Sequence, residues 1–157
     1  MAEYAHTATK YLGTYEHGVD EKRRLQIPAK WRPPADQTGY ELVLLLWQAG
    51  SPPAPCLLAL PPSAFKILWD RVSALPFEDP DAEALRRSIT ADADVVTLDN
   101  AGRICLSQAL ADKAGITRQA VLVGMLDRYQ IFSPENFRPV ANSDADRRKE
   151  AVKLKLI

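Results

Sequence analysis

The chain carries one residue pattern twice, and this internal duplication constrains its fold more than any other feature. An offset of 79 residues places Asp20 on Asp99 and Arg24 on Arg103, with apolar residues matching around them. The same offset places residues 42–44 on residues 121–123, and after a longer loop in the first copy the offset becomes 72. Because such self-similarity marks a supersecondary unit that is used more than once, we expect two similar modules.

The apolar spacing within each copy predicts a strand, a tight turn, a strand, a short helix, a hairpin and a helix that opens with proline. The predicted hairpins join residues 42–48 to 56–60 and residues 121–125 to 128–132. Short helices are predicted at residues 28–31 and 107–114. Amphipathic or capped helices are predicted to begin at Ser63, Asp79 and Ser133, with the second ending near residues 86–87. Pro139 is predicted to limit the last helix, and residues 142–157 to form a polar, mobile tail.

The Asp-x-x-x-Arg pairs fall where the pattern predicts tight turns. Asp99 suits the first position of a type I turn, and Gly102 at the fourth can adopt a positive φ. We therefore expect a hairpin between residues 95–98 and 103–106, with Arg103 within ion-pair reach of Asp99. In the first copy Arg23 stands at the glycine position, where a positive φ costs a side chain ~1 kcal/mol, so mild strain is predicted there.

These ion pairs admit two interpretations. They could be simple turn staples, but a surface pair stabilises a fold by only ~0 to 1 kcal/mol, which is a weak reason to display two guanidinium groups. Alternatively, the aspartate orients the loop and the arginine presents its planar fork to a phosphate or a guanine edge.

Charge is distributed unevenly along a chain that is neutral as a whole. Twenty basic and twenty acidic residues give a formal net charge of zero, so any nucleic-acid contact must come from local patches. One basic cluster consists of Lys22, Arg23, Arg24, Lys30 and Arg32, and a second of Arg147, Arg148, Lys149, Lys153 and Lys155. Such runs are also common on ordinary solvated surfaces.

Several classes of protein are disfavoured by the composition. With 46% hydrophobic and 25% charged residues the chain resembles soluble globular proteins, and its apolar runs are far shorter than the ~18 to 20 residues of a membrane span. The start lacks a secretory signal, which favours the cytoplasm. Cys56 and Cys105 are predicted to be buried structural thiols, and His6 and His17 are ordinary histidines, so no metal site is expected. No nucleophile motif or phosphate loop is recognisable, so we expect neither a cofactor nor an enzyme.

The two Asp-x-x-x-Arg loops, the Gly-Thr-Tyr-Glu-His segment at residues 13–17 and the Val-Leu-Val-Gly segment at residues 121–124 together resemble the MraZ family. The resemblance covers roughly residues 13–137. It implies a mainly β fold with short helices (α+β), in which two AbrB-type swapped-hairpin modules form a pseudo-symmetric double-psi-like barrel flanked by amphipathic helices. The modules would span residues 13–63 and 93–136, with a helical connector at 64–92 and a C-terminal segment at 137–157.

The resemblance also implies a function. Members of the family are DNA-binding transcriptional regulators of the division and cell-wall gene cluster, their own promoter included, and form ring-like homo-oligomers. The expected partners are thus double-stranded DNA with repeated promoter sites and further copies of the chain, at the nucleoid in the cytoplasm. The expected DNA-contacting residues are Asp20, Lys22, Arg23, Arg24, Asp99 and Arg103. The alternative is an antitoxin-like protein-interaction module of the wider AbrB-like class, which the duplication disfavours.

Overall fold

The computed structural model describes residues 9–34 and 39–157. The strands are β1 (Thr14–Gly18), β2 (Arg24–Gln26), β3 (Glu41–Ala49), β4 (Ala54–Leu60), β5 (Ala93–Thr97), β6 (Arg103–Cys105), β7 (Gln119–Gly124) and β8 (Tyr129–Phe132). The helices are α1 (Pro62–Ser73), α2 (Pro80–Ala91), α3 (Gln108–Ala114), α4 (Pro134–Asp144) and α5 (Lys149–Lys153), with a 3₁₀ turn at Ala29–Trp31. The chain is therefore a mixed α+β protein with short helices, as predicted.

Strands of the two copies intermix within one sheet. Six strands pair antiparallel in the order β1-β7-β8-β4-β3-β5. The predicted hairpins β3–β4 and β7–β8 lie side by side at its centre, where Leu57 of the first copy pairs with Ile131 of the second. The strands β1 and β5, which lie at the edges, are each paired to the other copy. The two copies thus share one sheet.

The prediction of a hairpin between residues 95–98 and 103–106 is wrong, although the tight turn between them is formed. Strand β5 pairs with β3, whereas β6 pairs with β2 in a separate two-stranded ribbon, with Leu25 opposite Ile104. Each tight turn sends the returning strand away from the strand before it. The ribbon is therefore made of one strand from each copy.

The closed barrel that the resemblance implies is not formed by residues 9–34 and 39–157. The six-stranded sheet is open, with β1 and β5 as its edges. Strands β2 and β6 have only three residues each and pair with each other, so they do not join one edge of the sheet to the other. The architecture is an open sheet with the ribbon packed on one face.

Alternation along β4 assigns the two faces of the sheet. Leu57 and Ala59 point towards the ribbon and join the main core with Leu25 and Ile104, all of them at most 1% exposed. Other large members of this core include Trp31, Leu42, Leu44, Leu106, Leu122 and Tyr129. Burial of so much apolar surface supplies most of the favourable free energy that holds the ribbon against the sheet.

Helices cover the opposite face. Ala64 and Phe65 of α1 pack with Leu58 and its neighbours, while Val140 of α4 packs with Phe132. Helix α2, capped by the side chain of Asp79, runs to Ala91 and is longer than predicted. Among the described residues, none of the helices is both long and apolar enough to cross a bilayer.

Two sequence predictions on this face and on the ribbon are wrong. Helix α4 continues through Pro139 to Asp144, although an interior proline removes one backbone hydrogen bond and crowds the preceding turn. Phe137 and Val140, on either side of the proline, pack against Phe132 and favour the helix. Cys56 is buried as predicted, but Cys105 is exposed. Cys105 lies between the inward-pointing Ile104 and Leu106, and strand alternation turns it outwards.

Candidate nucleic-acid interface

The first of the two predicted turns comprises residues 20–24, here called the first loop. The carboxylate of Asp20 closes it: Oδ1 accepts hydrogen bonds from the amides of Lys22 at 2.9 Å and Arg24 at 2.8 Å. Its other oxygen accepts from Nε of Arg24 at 2.6 Å. One aspartate therefore orients both the loop backbone and the arginine.

Residues 99–103, the second loop, have the same construction. Oδ1 of Asp99 accepts from the amides of Ala101 and Arg103, and Oδ2 accepts from Nε of Arg103, all at 2.9 Å. The predicted ion pair is thus confirmed in both copies. The duplicated sequence has folded into duplicated geometry.

Hydrogen bonding to the charged form controls the ionisation of both aspartates. The amide of Arg24 is the main cause that lowers the pKa of Asp20, and the amide of Arg103 does the same for Asp99. The guanidinium groups and the amides of Lys22 and Ala101 lower the pKa further. Both carboxylates are therefore charged at neutral pH and hold their arginines in place.

The ribbon brings the two loops to one surface. Leu25 and Ile104 point into the core, so their strand neighbours Arg24 and Arg103 point outwards on the same face. The side chains of these arginines keep 35% and 32% of their surface exposed. Each uses only Nε for its ion pair among the described residues. Their remaining N–H donors can serve a ligand.

Each loop is also tied to the opposite copy. The amide of Leu106 donates to the carbonyl of Arg23 at 2.9 Å, and the amide of Ile27 donates to the carbonyl of Gly102 at 3.0 Å. Side chains add two further ties at matching positions: Nε2 of Gln26 donates to the carbonyl of Ala101 at 2.8 Å, and Sγ of Cys105 donates to that of Lys22 at 3.3 Å. Sequence reasoning missed these contacts because their partners are about 80 residues apart.

Arg23 has the positive φ that the sequence predicts, 61°, and Gly102 has a φ of 78°. The strain at Arg23 is accompanied by hydrogen bonds from Nε to the carbonyl of Leu106 at 2.9 Å and from Nη1 to Oε1 of Gln108 at 3.0 Å. At the matching place in the second loop, Nε of Arg32 donates to the carbonyl of Ile27 at 2.8 Å. A Cβ on Gly102 would lie 2.6 Å from Cζ of Arg32. Two arginines from different sequence positions thus fill equivalent spaces.

The remaining basic residues are not all part of this surface. Lys22 is exposed at the tip of the first loop, whereas Arg32 is half-buried against the second. The C-terminal basic cluster belongs to the segment around α5 and not to the ribbon strands. Within the described part of the chain, no group of three or more acidic, histidine or cysteine side chains could hold a metal ion. His17 stacks on Tyr15 with a centroid separation of 6.4 Å, and His6 lies outside the described residues.

Comparison with known proteins places this chain in a family. A family model described as "MraZ protein, putative antitoxin-like" matches residues 89–155, which include the second loop. Transcriptional regulator MraZ of Herpetosiphon aurantiacus is 41% identical over 136 residues, covering 87% of this chain and 90% of the relative. The chain belongs to the MraZ family.

Other proteins named transcriptional regulator MraZ are similarly related to this chain. The protein of the same name from Thermomicrobium roseum is 38% identical over 127 residues, covering 81% of this chain and 84% of its own length. That of Clostridium beijerinckii is 34% identical over 136 residues, covering 87% and 90%. The resemblance inferred from the two loops is therefore confirmed at the level of the MraZ family.

Proposed function

We propose that the chain is a sequence-specific DNA-binding transcriptional regulator that contacts double-stranded DNA through the first and second loops. The observation that carries the proposal is the display of Arg24 and Arg103 on one outward face, each held by its own aspartate. The names of the MraZ relatives, which are those of regulators and not of enzymes, support it. The promoter of the division and cell-wall gene cluster is the proposed target.

The chemistry of the loops suits this ligand. A guanidinium whose Nε is already fixed can offer its outer N–H groups to guanine O6 and N7 or to a phosphate. A two-stranded ribbon is narrow enough to enter the major groove. We assign base or phosphate contacts to Arg24 and Arg103 and phosphate contacts to Lys22 and Arg23, which position a protein without reading sequence. Asp20 and Asp99 orient the loops.

A neutral chain needs several loops to bind together, and we propose that copies of the chain form a ring-like oligomer on repeated promoter sites. Loops from several subunits raise the effective concentration and can gain ~10² to 10⁴ in avidity. An apolar depression between α1 and α2, lined by Phe65, Leu68, Val72 and Ile89, supports self-association. Trp69 at its margin is 61% exposed.

Finer features follow from the same proposal. The β2–β6 pairing supports the swapped-hairpin description, with modules at residues 13–63 and 93–136, a connector at 64–92 and a C-terminal segment at 137–157. A regulator of this kind would act in the cytoplasm, at the nucleoid.

The alternative is an antitoxin-like interaction module, which the same apolar depression favours because a protein partner could cover it. The two proposals differ in the ligand: in the first, DNA lies on the ribbon and further copies of the chain cover the α1–α2 side, whereas in the second a different protein covers the α1–α2 side.

The test is a gel-shift titration of the purified protein with its own upstream region at several salt concentrations. Affinity should fall steeply with salt, and the Arg24→Ala/Arg103→Ala variant should lose tenfold or more. Arg128→Ala is the matched control, since Arg128 forms the same kind of ion pair with Asp127 at the β7–β8 turn. Full affinity in the double variant would remove the loops from the mechanism, and the absence of any shift would favour the alternative.

A further inference from the structure

The structure assigns a positioning role to Gln26: its side-chain amide holds the second loop in the conformation that presents Arg103. This inference rests on the proposed function and adds a residue that the loop motif does not contain. Gln26 belongs to the first copy, but the loop it holds belongs to the second. The geometry on which it depends is the contact of Gln26 Nε2 with the carbonyl of Ala101 at 2.8 Å and, more weakly, with that of Gly102 at 3.5 Å.

The contact holds the second loop through a residue that is not part of the loop. Asp99 already accepts the amides of Ala101 and Arg103 from within the loop. Nε2 of Gln26 donates to the carbonyl of Ala101. Gln26 also lies directly opposite Arg103 in the ribbon. The second loop is therefore held on both sides, and Arg103 is presented from a backbone with little freedom.

The matching position in the first loop is different. Cys105 stands where Gln26 stands, and its thiol donates to the carbonyl of Lys22 at 3.3 Å. A thiol is a weak donor compared with an amide. The first loop instead has the side chain of Arg23, which bonds to Leu106 and Gln108 of the second copy. The two loops are thus positioned by different residues, and removal of the Gln26 amide should loosen only the second.

Gln26→Met tests this inference because methionine keeps the length of the side chain and removes its donor. Hydrogen exchange measured by NMR should become about three- to tenfold faster at the amides of Ala101, Gly102 and Arg103, as expected for loss of one hydrogen bond. The amides of residues 22–24 should keep their rates. Gln26→Glu, which has the same shape but only acceptor oxygens at neutral pH, should loosen the same amides at least as much.

The control is Gln48→Met, which makes the same substitution at an exposed position near the C-terminal end of β3, outside both loops. It should leave both loops unchanged. Equal exchange rates in Gln26→Met and the parent chain, or faster exchange in the first loop alone, would overturn the inference.

DNA binding supplies the second measurement. Gln26→Met should weaken binding to the upstream region about three- to tenfold while the slope of affinity against salt stays constant, because no cation is removed. A changed slope with normal loop exchange would contradict a positioning role. If the parent chain does not bind DNA, the proposed function fails, but the exchange experiment still decides whether Gln26 holds the second loop.

Discussion

Arg23 and Leu106 are joined by two hydrogen bonds: the amide of Leu106 donates to the carbonyl of Arg23, and Nε of Arg23 donates to the carbonyl of Leu106, both at 2.9 Å. In the second loop the corresponding pair, Gly102 and Ile27, keeps only the backbone bond, and Arg32 supplies the side-chain donor. Arg23 therefore occupies the backbone position of Gly102 and also supplies the side-chain donor that Arg32 supplies beside the second loop.

Substitutions at Arg23 should separate strain from hydrogen bonding. Arg23→Ala loses both side-chain bonds and keeps a side chain at positive φ, whereas Arg23→Gly loses the bonds but relieves the φ. We expect the alanine variant to be less stable than the glycine variant by about 1 kcal/mol in urea unfolding. Equal stabilities would mean that the backbone at residue 23 is not strained.

Gly102 and Arg32 should be energetically coupled. Gly102→Ala places a methyl group at positive φ and against the Arg32 guanidinium, and we expect a loss of about 2 kcal/mol. In an Arg32→Ala background the collision is absent and only the φ cost remains. A double-mutant cycle by chemical denaturation should therefore give an interaction energy of about 0.5 to 1 kcal/mol, and strict additivity would contradict the packing described here.

Acid should weaken both loops. Because the folded-state pKa values of Asp20 and Asp99 are lowered, chiefly by the amides of Arg24 and Arg103, their stabilising effect is complete above the ordinary aspartate pKa. It is lost as pH falls through the lowered folded-state value. The difference in unfolding free energy between the parent chain and Asp20→Asn/Asp99→Asn should shrink as the pH falls below about 4. A constant difference across that range would contradict the assignment.

The two thiols should differ in reactivity. Cys105 is exposed, whereas burial raises the pKa of Cys56 to about 12. N-ethylmaleimide should add one label to the folded protein and a second only after unfolding, as read by mass spectrometry. Cys105→Ser should abolish the first label, and labelling of both thiols in the folded chain would be the contrary result.

Trp69 should contribute to self-association. Trp69→Glu places a charge at the margin of the α1–α2 depression, and we expect a smaller assembly in light scattering coupled to size-exclusion chromatography. Trp47→Glu is the matched control, because Trp47 is also exposed, at 46%, but lies on β3 outside the depression. An unchanged assembly in Trp69→Glu would place the interface elsewhere.

Local chemistry was predictable from the sequence. Ser107 caps α3 by accepting from the amide of Leu110 at 3.2 Å, and Gly115 ends the helix with a φ of 72°, both as predicted. The two Asp-Arg pairs were predictable for the same reason, since all their partners lie within four residues. The strain at Arg23 followed from its alignment with a glycine.

Long-range pairing was not predictable. A turn between two apolar strands favours pairing of the nearest neighbours, so the exchange that pairs β2 with β6 has no local signal. Gln26 gave no hint of a role because its partner, the carbonyl of Ala101, belongs to the other copy. Arg32 was assigned only to a basic cluster, since its packing against Gly102 of the other copy has no local signal. The exposure of Cys105, by contrast, was predictable from the sequence. Its neighbours Ile104 and Leu106 are both apolar and point inwards, so alternation along the strand places the side chain of Cys105 on the outer face.

The exchange of strands between the copies has a consequence for how the two halves can change. If a single copy existed alone, a second identical molecule would have to supply the hydrogen bonds that each loop receives from the other copy. The two loops would then have the same sequence. Joining the halves in one polypeptide guarantees the partner at any concentration and allows the two loops to differ, as they do at Gln26 and Cys105 and at Arg23 and Gly102. The outward face of the ribbon therefore has two unlike ends, which no symmetric pair of identical molecules could have.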